Sequence, residues 1–153
     1  MKNNCVDGKY FKGNVKDVNA GDRYYYDGAT FELFANGVIN NKAIFETHMK
    51  EYDKILRASH NPQKGYIRFN SNDSYENQEW PFAGLRVAVA QNNFGNKKEA
   101  KKLIDRVTFL AGKNYNLIPE IISNDLEMYK GAIPMVGYGS GAYLLALLNY
   151  YGK

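Results

Sequence analysis

Apolar side chains recur every three to four residues in five stretches of the chain, which is the spacing of a helix with a buried face. The pattern predicts helices over residues 29–36, 42–57, 80–90, 96–111 and 139–151. The third stretch is apolar on almost every side, so we expect it to be the most buried helix. The sequence therefore predicts an all-α fold of about five helices in antiparallel pairs.

Helix-breaking and helix-starting residues mark the boundaries of these stretches. Gly37 ends the first helix, and Pro81 fits the first turn of the third. Asn96 begins the fourth helix, with Glu99 at the position that completes a capping box. Between the second and third helices, residues 65–69 are typical of a short strand.

The composition changes near the start of the first helix. Residues 1–28 are rich in Gly, Asn, Asp and Tyr, which predicts a loop-rich N-terminal segment with short extended pieces. Residues 29–153 carry all the helical patterns. No linker separates the two parts, and the length of 153 residues suits one folded unit.

Charge and composition narrow the function classes. The net charge is +4, but the four lysines between residues 97 and 102 share a predicted helix with Glu99 and Asp105. Mixed charges of this kind are typical of a solvated helix face, so no nucleic-acid partner is expected. Aromatic residues make up 14% of the chain, and many lie in polar, loop-like stretches that suit stacking against sugar rings.

Metal sites, cofactors and membrane spans find no support in the sequence. Cys5 is the single cysteine, and His48 and His60 have no carboxylate pattern around them, so no metal or cofactor is expected. The N-terminus lacks the apolar core of a secretory signal, and no stretch approaches about 18 apolar residues. For the chain as written, these features predict a cytoplasmic location and no membrane contact.

The clearest candidate for chemistry is Glu120, which follows Pro119 on a loop between the last two predicted helices. A carboxylate placed on such a loop can take a proton from water. The alternative is a solvated glutamate without a role, as most surface glutamates are. The glycine-rich turn at residues 137–141 does not predict a phosphate site, because no strand precedes it and no lysine follows it.

The order of these features resembles the C-terminal part of the family 15 glycoside hydrolases, the glucoamylase type. The resemblance covers residues 24–151 and rests on five features in order. The first three are Tyr26-Asp27 before a Leu-containing helix, Gly-Tyr-Ile-Arg-Phe at residues 65–69, and a polar loop ending in Trp80. The last two are Ile-Pro-Glu-Ile at residues 118–121 and a Pro-to-Tyr motif at residues 134–143. Two positions depart from the family pattern. Ile121 replaces a glutamine, and Gly-Tyr-Gly-Ser at residues 137–140 replaces Trp-Ser.

The resemblance implies an (α/α)6 barrel, and five helices cannot close that double ring. It therefore implies a partial toroid. The family's general acid also precedes the base by more residues than precede Glu120 here. We accordingly expect either a missing N-terminal half or self-association through apolar flanks that half a ring leaves uncovered.

The resemblance also assigns roles to residues. It implies inverting hydrolysis of α-glucans, with Glu120 as the general base and Trp80, Tyr138, Tyr26 and Asp27 at the bound oligo- or polysaccharide.

The general acid remains unassigned. Four carboxylates are candidates, and none matches the family's acid motif: Asp27, Glu32, Glu76 and Glu79. We therefore expect the isolated chain to be inactive. The alternative is a non-catalytic module derived from this fold that binds carbohydrate or another protein.

Overall fold

The computed structural model describes residues 6–7, 10–11, 28–68, 70, 73–129 and 137–152, and it is mainly helical. Within these residues, five α-helices follow in chain order: α1 Glu32–Ala35, α2 Lys42–Leu56, α3 Pro81–Asn93, α4 Lys97–Lys113 and α5 Gly137–Tyr151. Short 3-10 turns occupy Gly28–Phe31 and Ala58–His60. A two-stranded antiparallel ribbon pairs β1, Val6–Asp7, with β2, Tyr10–Phe11. The predicted all-α class is confirmed.

Helix α3 is the centre of the fold. Ten of its thirteen residues are buried, a larger share than in any other long helix, which confirms the expectation from its apolar sequence. Its single charged side chain, Arg86, forms a two-pronged ion pair with Glu32 of α1 and donates to Asn36 Oδ1 at 3.2 Å. These partners compensate the removal of the guanidinium from water.

The directions of the helices follow from contacts near their ends. Near the starts of α3 and α5, the rings of Phe82 and Tyr138 meet edge to face at 5.3 Å. Near the ends of the same helices, Asn92 donates to Asn149 at 2.8 Å. Helices α3 and α5 are therefore parallel. Helix α4 runs back from α3 after a tight turn at Gly95, whose φ of 84° favours glycine.

An aromatic cluster attaches α2 to the rest of the fold. The rings of Phe45 and Phe94 stack at 4.2 Å, and Phe34 meets Phe45 edge to face at 5.3 Å. Phe31 contacts Tyr52 in the same edge-to-face manner at 5.0 Å. Pairs of this geometry stabilise a core beyond the area that they bury.

The loops before α3 and after α4 are joined by backbone hydrogen bonds. Glu79 and Ile122 exchange N–H to carbonyl bonds of 2.8 and 3.2 Å, and Ile122 also bridges to Tyr129. The amide of Trp80 donates to the carbonyl of Tyr66 at 2.8 Å. The predicted strand near Tyr66 is thus present only as an isolated bridge within a loop assembly.

A buried ion pair lies inside this loop assembly. The carboxylate of Glu79 is 1% exposed and accepts from Arg106 Nη2 at 2.7 Å, from Arg106 Nε at 3.1 Å and from the amide of Gly65 at 3.0 Å. Arg106 also donates to Glu127 at 2.7 Å. Each charged group is therefore paired and hydrogen-bonded, as its burial requires.

The predicted capping box at the start of α4 is wrong. Asn96 does precede the helix, but its side chain donates to Gln91 Oε1 at 2.8 Å instead of capping. The carboxylate of Glu99 accepts from Arg57 Nη2 at 2.6 Å. The buried guanidinium of Arg57 needs an anionic partner, and this tertiary demand outweighs a local cap.

Helix α5 carries no charged residue, yet it buries only Gly139, Ala142 and Ala146. Its narrow buried stripe of small residues lets the helix approach its neighbours closely. None of the helices among the described residues is long and apolar enough to cross a bilayer.

We predict that Gly65→Ala lowers the free energy of unfolding by about 1–3 kcal/mol. A Cβ atom at Gly65 would lie 2.7 Å from Glu79 Oε1, and that oxygen can move only by breaking the buried ion pair. The measurement is urea denaturation followed by circular dichroism.

Gly112→Ala in α4 is the matched control, because nothing lies within 4 Å of a Cβ there. It should raise stability by about 0.4–1 kcal/mol through loss of unfolded-state entropy. Equal midpoints for the two variants would contradict the proposed clash at Gly65.

Candidate functional site

Glu120 lies on the loop between α4 and α5, and its chain neighbours anchor that loop. Ile118, Pro119, Ile121 and Ile122 are all buried, whereas Glu120 is only half-buried. The apolar neighbours fix the backbone on both sides of the carboxylate. The sequence thus places one polar group at the surface of an otherwise buried loop.

Two tyrosine hydroxyls meet the Glu120 carboxylate. Tyr138, at the second position of α5, donates to Glu120 Oε1 at 3.0 Å, and Tyr75 also hydrogen-bonds to this carboxylate. Removal from water, followed by the hydrogen bond and negative charge of Glu120, raises the pKa of both phenols above the ordinary value. Each hydroxyl therefore remains a neutral donor at neutral pH.

The buried ring of Trp80 packs against Tyr75 in this cluster. Its side chain is 3% exposed, and Tyr75 meets its ring edge to face at 5.2 Å. The guanidinium of Arg68 lies 4.4 Å from the Trp80 ring centroid and forms a two-pronged ion pair with Glu76, one bond of which measures 2.6 Å. The exposed rings beside Glu120 are instead those of Tyr138, at 43%, and Tyr75, at 38%.

The helix arrangement brings this cluster together. Trp80 is the N-cap of α3, and Tyr138 lies in the first turn of α5. Because α3 and α5 are parallel, their N-termini lie at the same end of the fold as Glu120. The positive ends of helix dipoles favour a negative charge nearby, which suits a carboxylate at this position.

The structure brings Glu120 and Tyr138 into direct contact and connects Trp80 to them through Tyr75. The predicted sugar contacts Tyr26 and Asp27 lie outside the described residues. Three members of the cluster carry no functional signal in the sequence: Arg68, Tyr75 and Phe82. Arg68 belongs to the Gly-Tyr-Ile-Arg-Phe motif and Tyr75 to the polar loop before Trp80, but nothing local in the sequence shows that distant loops converge on Glu120.

Three of the candidate acids are already engaged with arginines. Glu32 pairs with Arg86, Glu76 pairs with Arg68, and Glu79 pairs with Arg106. The fourth candidate, Asp27, lies outside the described residues. In each of these pairs both carboxylate oxygens accept hydrogen bonds from the guanidinium, so the carboxyl group is held by the fold and is not presented to a substrate.

One cavity in the described part of the chain lies apart from Glu120. It has a volume of about 260 Å³, lies between α2 and α4, and is lined by Asp53, Arg57, His60, Pro62, Glu99 and Lys102. Its buried arginine, Arg57, is already paired with Asp53 at 2.9 Å and with Glu99 at 2.6 Å. Within the described ranges, no three His, Cys, Asp or Glu side chains are grouped to hold a metal ion.

We predict that Glu120→Gln lowers the pKa of Tyr138 towards the ordinary tyrosine value of about 10. The amide removes the negative charge that disfavours the phenolate. In the native chain, the phenol of Tyr138 donates to Glu120 and stabilises the fold fully at pH values below the ordinary tyrosine pKa. This stabilisation is lost as the pH rises through the higher pKa that Tyr138 has in the folded protein. NMR of ¹³C-labelled tyrosine, assigned with Tyr138→Phe, measures this titration.

Glu46→Gln serves as the control, since Glu46 lies exposed on α2 beside Lys42. It should leave the titration of Tyr138 unchanged. An unaltered Tyr138 titration in Glu120→Gln would mean that the two side chains are not hydrogen-bonded in solution.

Comparison with known proteins identifies no relative of this chain. No family model matches it, and neither curated proteins nor solved structures gave a significant match.

Proposed function

We propose that this chain is a glycoside hydrolase-like domain of the glucoamylase type, in which Glu120 is the general base of inverting hydrolysis of α-glucans. The observation that carries the proposal is the position of the Glu120 carboxylate. It lies half-buried on the loop between α4 and α5, with the hydroxyls of Tyr138 and Tyr75 hydrogen-bonded to it. Sequence resemblance and geometry point to the same side chain.

The helix directions support a partial (α/α)6 toroid as the finer fold. The parallel helices α3 and α5 correspond to neighbouring helices of an inner ring, and α4, which runs antiparallel to them, corresponds to an outer helix. In this arrangement the N-terminal ends of α3 and α5 border the sugar-binding side. The loop that carries Glu120 opens to the same side.

In the proposed reaction, Glu120 takes a proton from a water molecule as the oxygen of that water attacks the anomeric carbon. Tyr138 and Tyr75 hold the carboxylate in one orientation, which leaves less motion to be lost when the water binds. Their partly exposed rings provide surfaces for the C–H faces of a neutral oligo- or polysaccharide. Trp80 and the Arg68–Glu76 pair keep the Tyr75 ring in place.

Inverting hydrolysis also requires a proton donor about 6.5–9.5 Å from the base. Glu32, Glu76 and Glu79 are each paired with an arginine. In this proposal, none of these three glutamates therefore serves as the general acid. Without that acid, the departing sugar oxygen is not protonated and hydrolysis is very slow.

The second candidate function is a non-catalytic module that binds carbohydrate or another protein. The arginine pairing of three candidate acids favours this alternative, because each of those carboxylates has a structural role. A carbohydrate-binding module would use the same exposed tyrosines beside Glu120 as the hydrolase, and it would differ in lacking a proton donor at the bound sugar.

We predict that the 153-residue chain binds maltooligosaccharides without hydrolysing them, and that Glu120→Gln leaves this binding nearly intact. In a form that includes the general acid, the same substitution should lower hydrolysis by about 10²–10⁴-fold. The amide keeps the shape of the side chain but cannot accept the proton from water. Calorimetry measures binding, and release of reducing sugar measures turnover.

Glu46→Gln is again the matched control and should change neither quantity. Binding without hydrolysis in every form of the protein would favour the non-catalytic alternative. Unchanged hydrolysis in Glu120→Gln would assign the base to another residue, and rapid hydrolysis by the isolated chain would reveal an acid within it.

A further inference from the structure

Helix α5 presents a second apolar stripe to solvent. Leu144, Leu148 and Tyr151 each expose more than half of their surface, and Gly141 extends the stripe towards the helix start. The successive spacings are three, four and three residues, which is the a/d pattern of helices that pack side by side. We call these four residues the α5 seam. Leu145, also exposed, lies beside it.

The α5 seam faces away from the protein's own core. The buried stripe of α5 consists of Gly139, Ala142 and Ala146, and at 100° per residue the seam lies on the opposite side of the helix. A helix that is apolar on all sides normally has neighbours on all sides. Among the residues that the structure describes, one side of α5 therefore lacks a neighbour.

The uncharged, apolar side chains of the α5 seam favour a partner surface that is also uncharged and apolar. Helix α5 has no charged residue, although the chain as a whole carries a net charge of +4. Two copies that meet through α5 therefore bring no like charges into contact at the helix pair. An antiparallel pair of helices also places opposite dipole ends together.

The size of the seam indicates how strong the contact is. Its side chains and Leu145 expose on the order of 400 Å² of surface, the size of a large apolar patch on a monomer. A stable interface typically buries about 800 Å² on each partner. The seam supplies about half of that area, so the association should be reversible and dependent on concentration.

We propose that the α5 seam binds the α5 seam of a second copy of this chain in an antiparallel, two-fold symmetric pair. The stripe is centred on residue 146, so Leu144 of one copy meets Leu148 of the other. A two-fold contact uses the same patch on both partners, which the repeated apolar spacing provides. The proposal specifies the surface for the self-association expected of a partial ring, and it rests on the exposed face of α5 and not on the role of Glu120 as a base.

Sedimentation equilibrium over a concentration series tests the association. The weight-average mass of the native chain should rise from 17.4 kDa towards twice that value. Leu148→Glu should remain at the monomer mass, because a charge would be buried at the seam. Leu126→Glu, at an exposed leucine outside the helices, should associate as the native chain does. Circular dichroism verifies that both variants are folded.

Disulfide trapping tests the orientation. In a Cys5→Ser background, a mixture of Leu144→Cys chains and Leu148→Cys chains should form mixed disulfide dimers on mild oxidation. Dimers that link only identical positions would overturn the antiparallel geometry. A native chain that stays monomeric at its highest soluble concentration, or an association that Leu148→Glu leaves unchanged, would overturn the proposal itself.

Discussion

The ion pair between Glu79 and Arg106 is the interaction on which the candidate site depends. Glu79 is 1% exposed and joins four parts of the chain: it binds Arg106 of α4, accepts from the amide of Gly65, exchanges backbone hydrogen bonds with Ile122, and precedes the N-cap of α3. Removing Arg106 would leave the buried carboxylate of Glu79 without a cationic partner, which costs about 3–5 kcal/mol. The pair therefore holds together loops that have little regular secondary structure.

This constraint reaches Glu120 through the backbone. Ile122, which is hydrogen-bonded to Glu79, stands two residues after Glu120, and the side chain of Ile121 between them is fixed by burial. On the other side, Trp80 directly follows Glu79 and supports Tyr75. A single buried carboxylate thus sets the distance between the loop that carries the proposed base and the loop that carries one of its tyrosine partners.

The charged residues of this chain fall into two groups with different roles. Glu32, Glu76 and Glu79 pair with arginines and hold helices and loops together, whereas Glu120 meets only neutral phenols among its described hydrogen-bond partners. A carboxylate without a cationic partner keeps oxygen lone pairs available for a water molecule or a sugar hydroxyl. The difference in partners distinguishes a candidate site from structural ion pairs.

The sequence by itself determined the helical class, the burial of α3 and the candidate Glu120, because apolar periodicity and local motifs are properties of neighbouring residues. It did not determine the failed cap at Asn96, the arginine partners of the three glutamates or the convergence of Tyr75 with Tyr138. Those features depend on which side chains meet across the fold. A buried charge requires a partner, and in this chain that partner is often distant in the sequence, as Arg106 is from Glu79. Only the parallel packing of α3 and α5 places the two tyrosines beside Glu120.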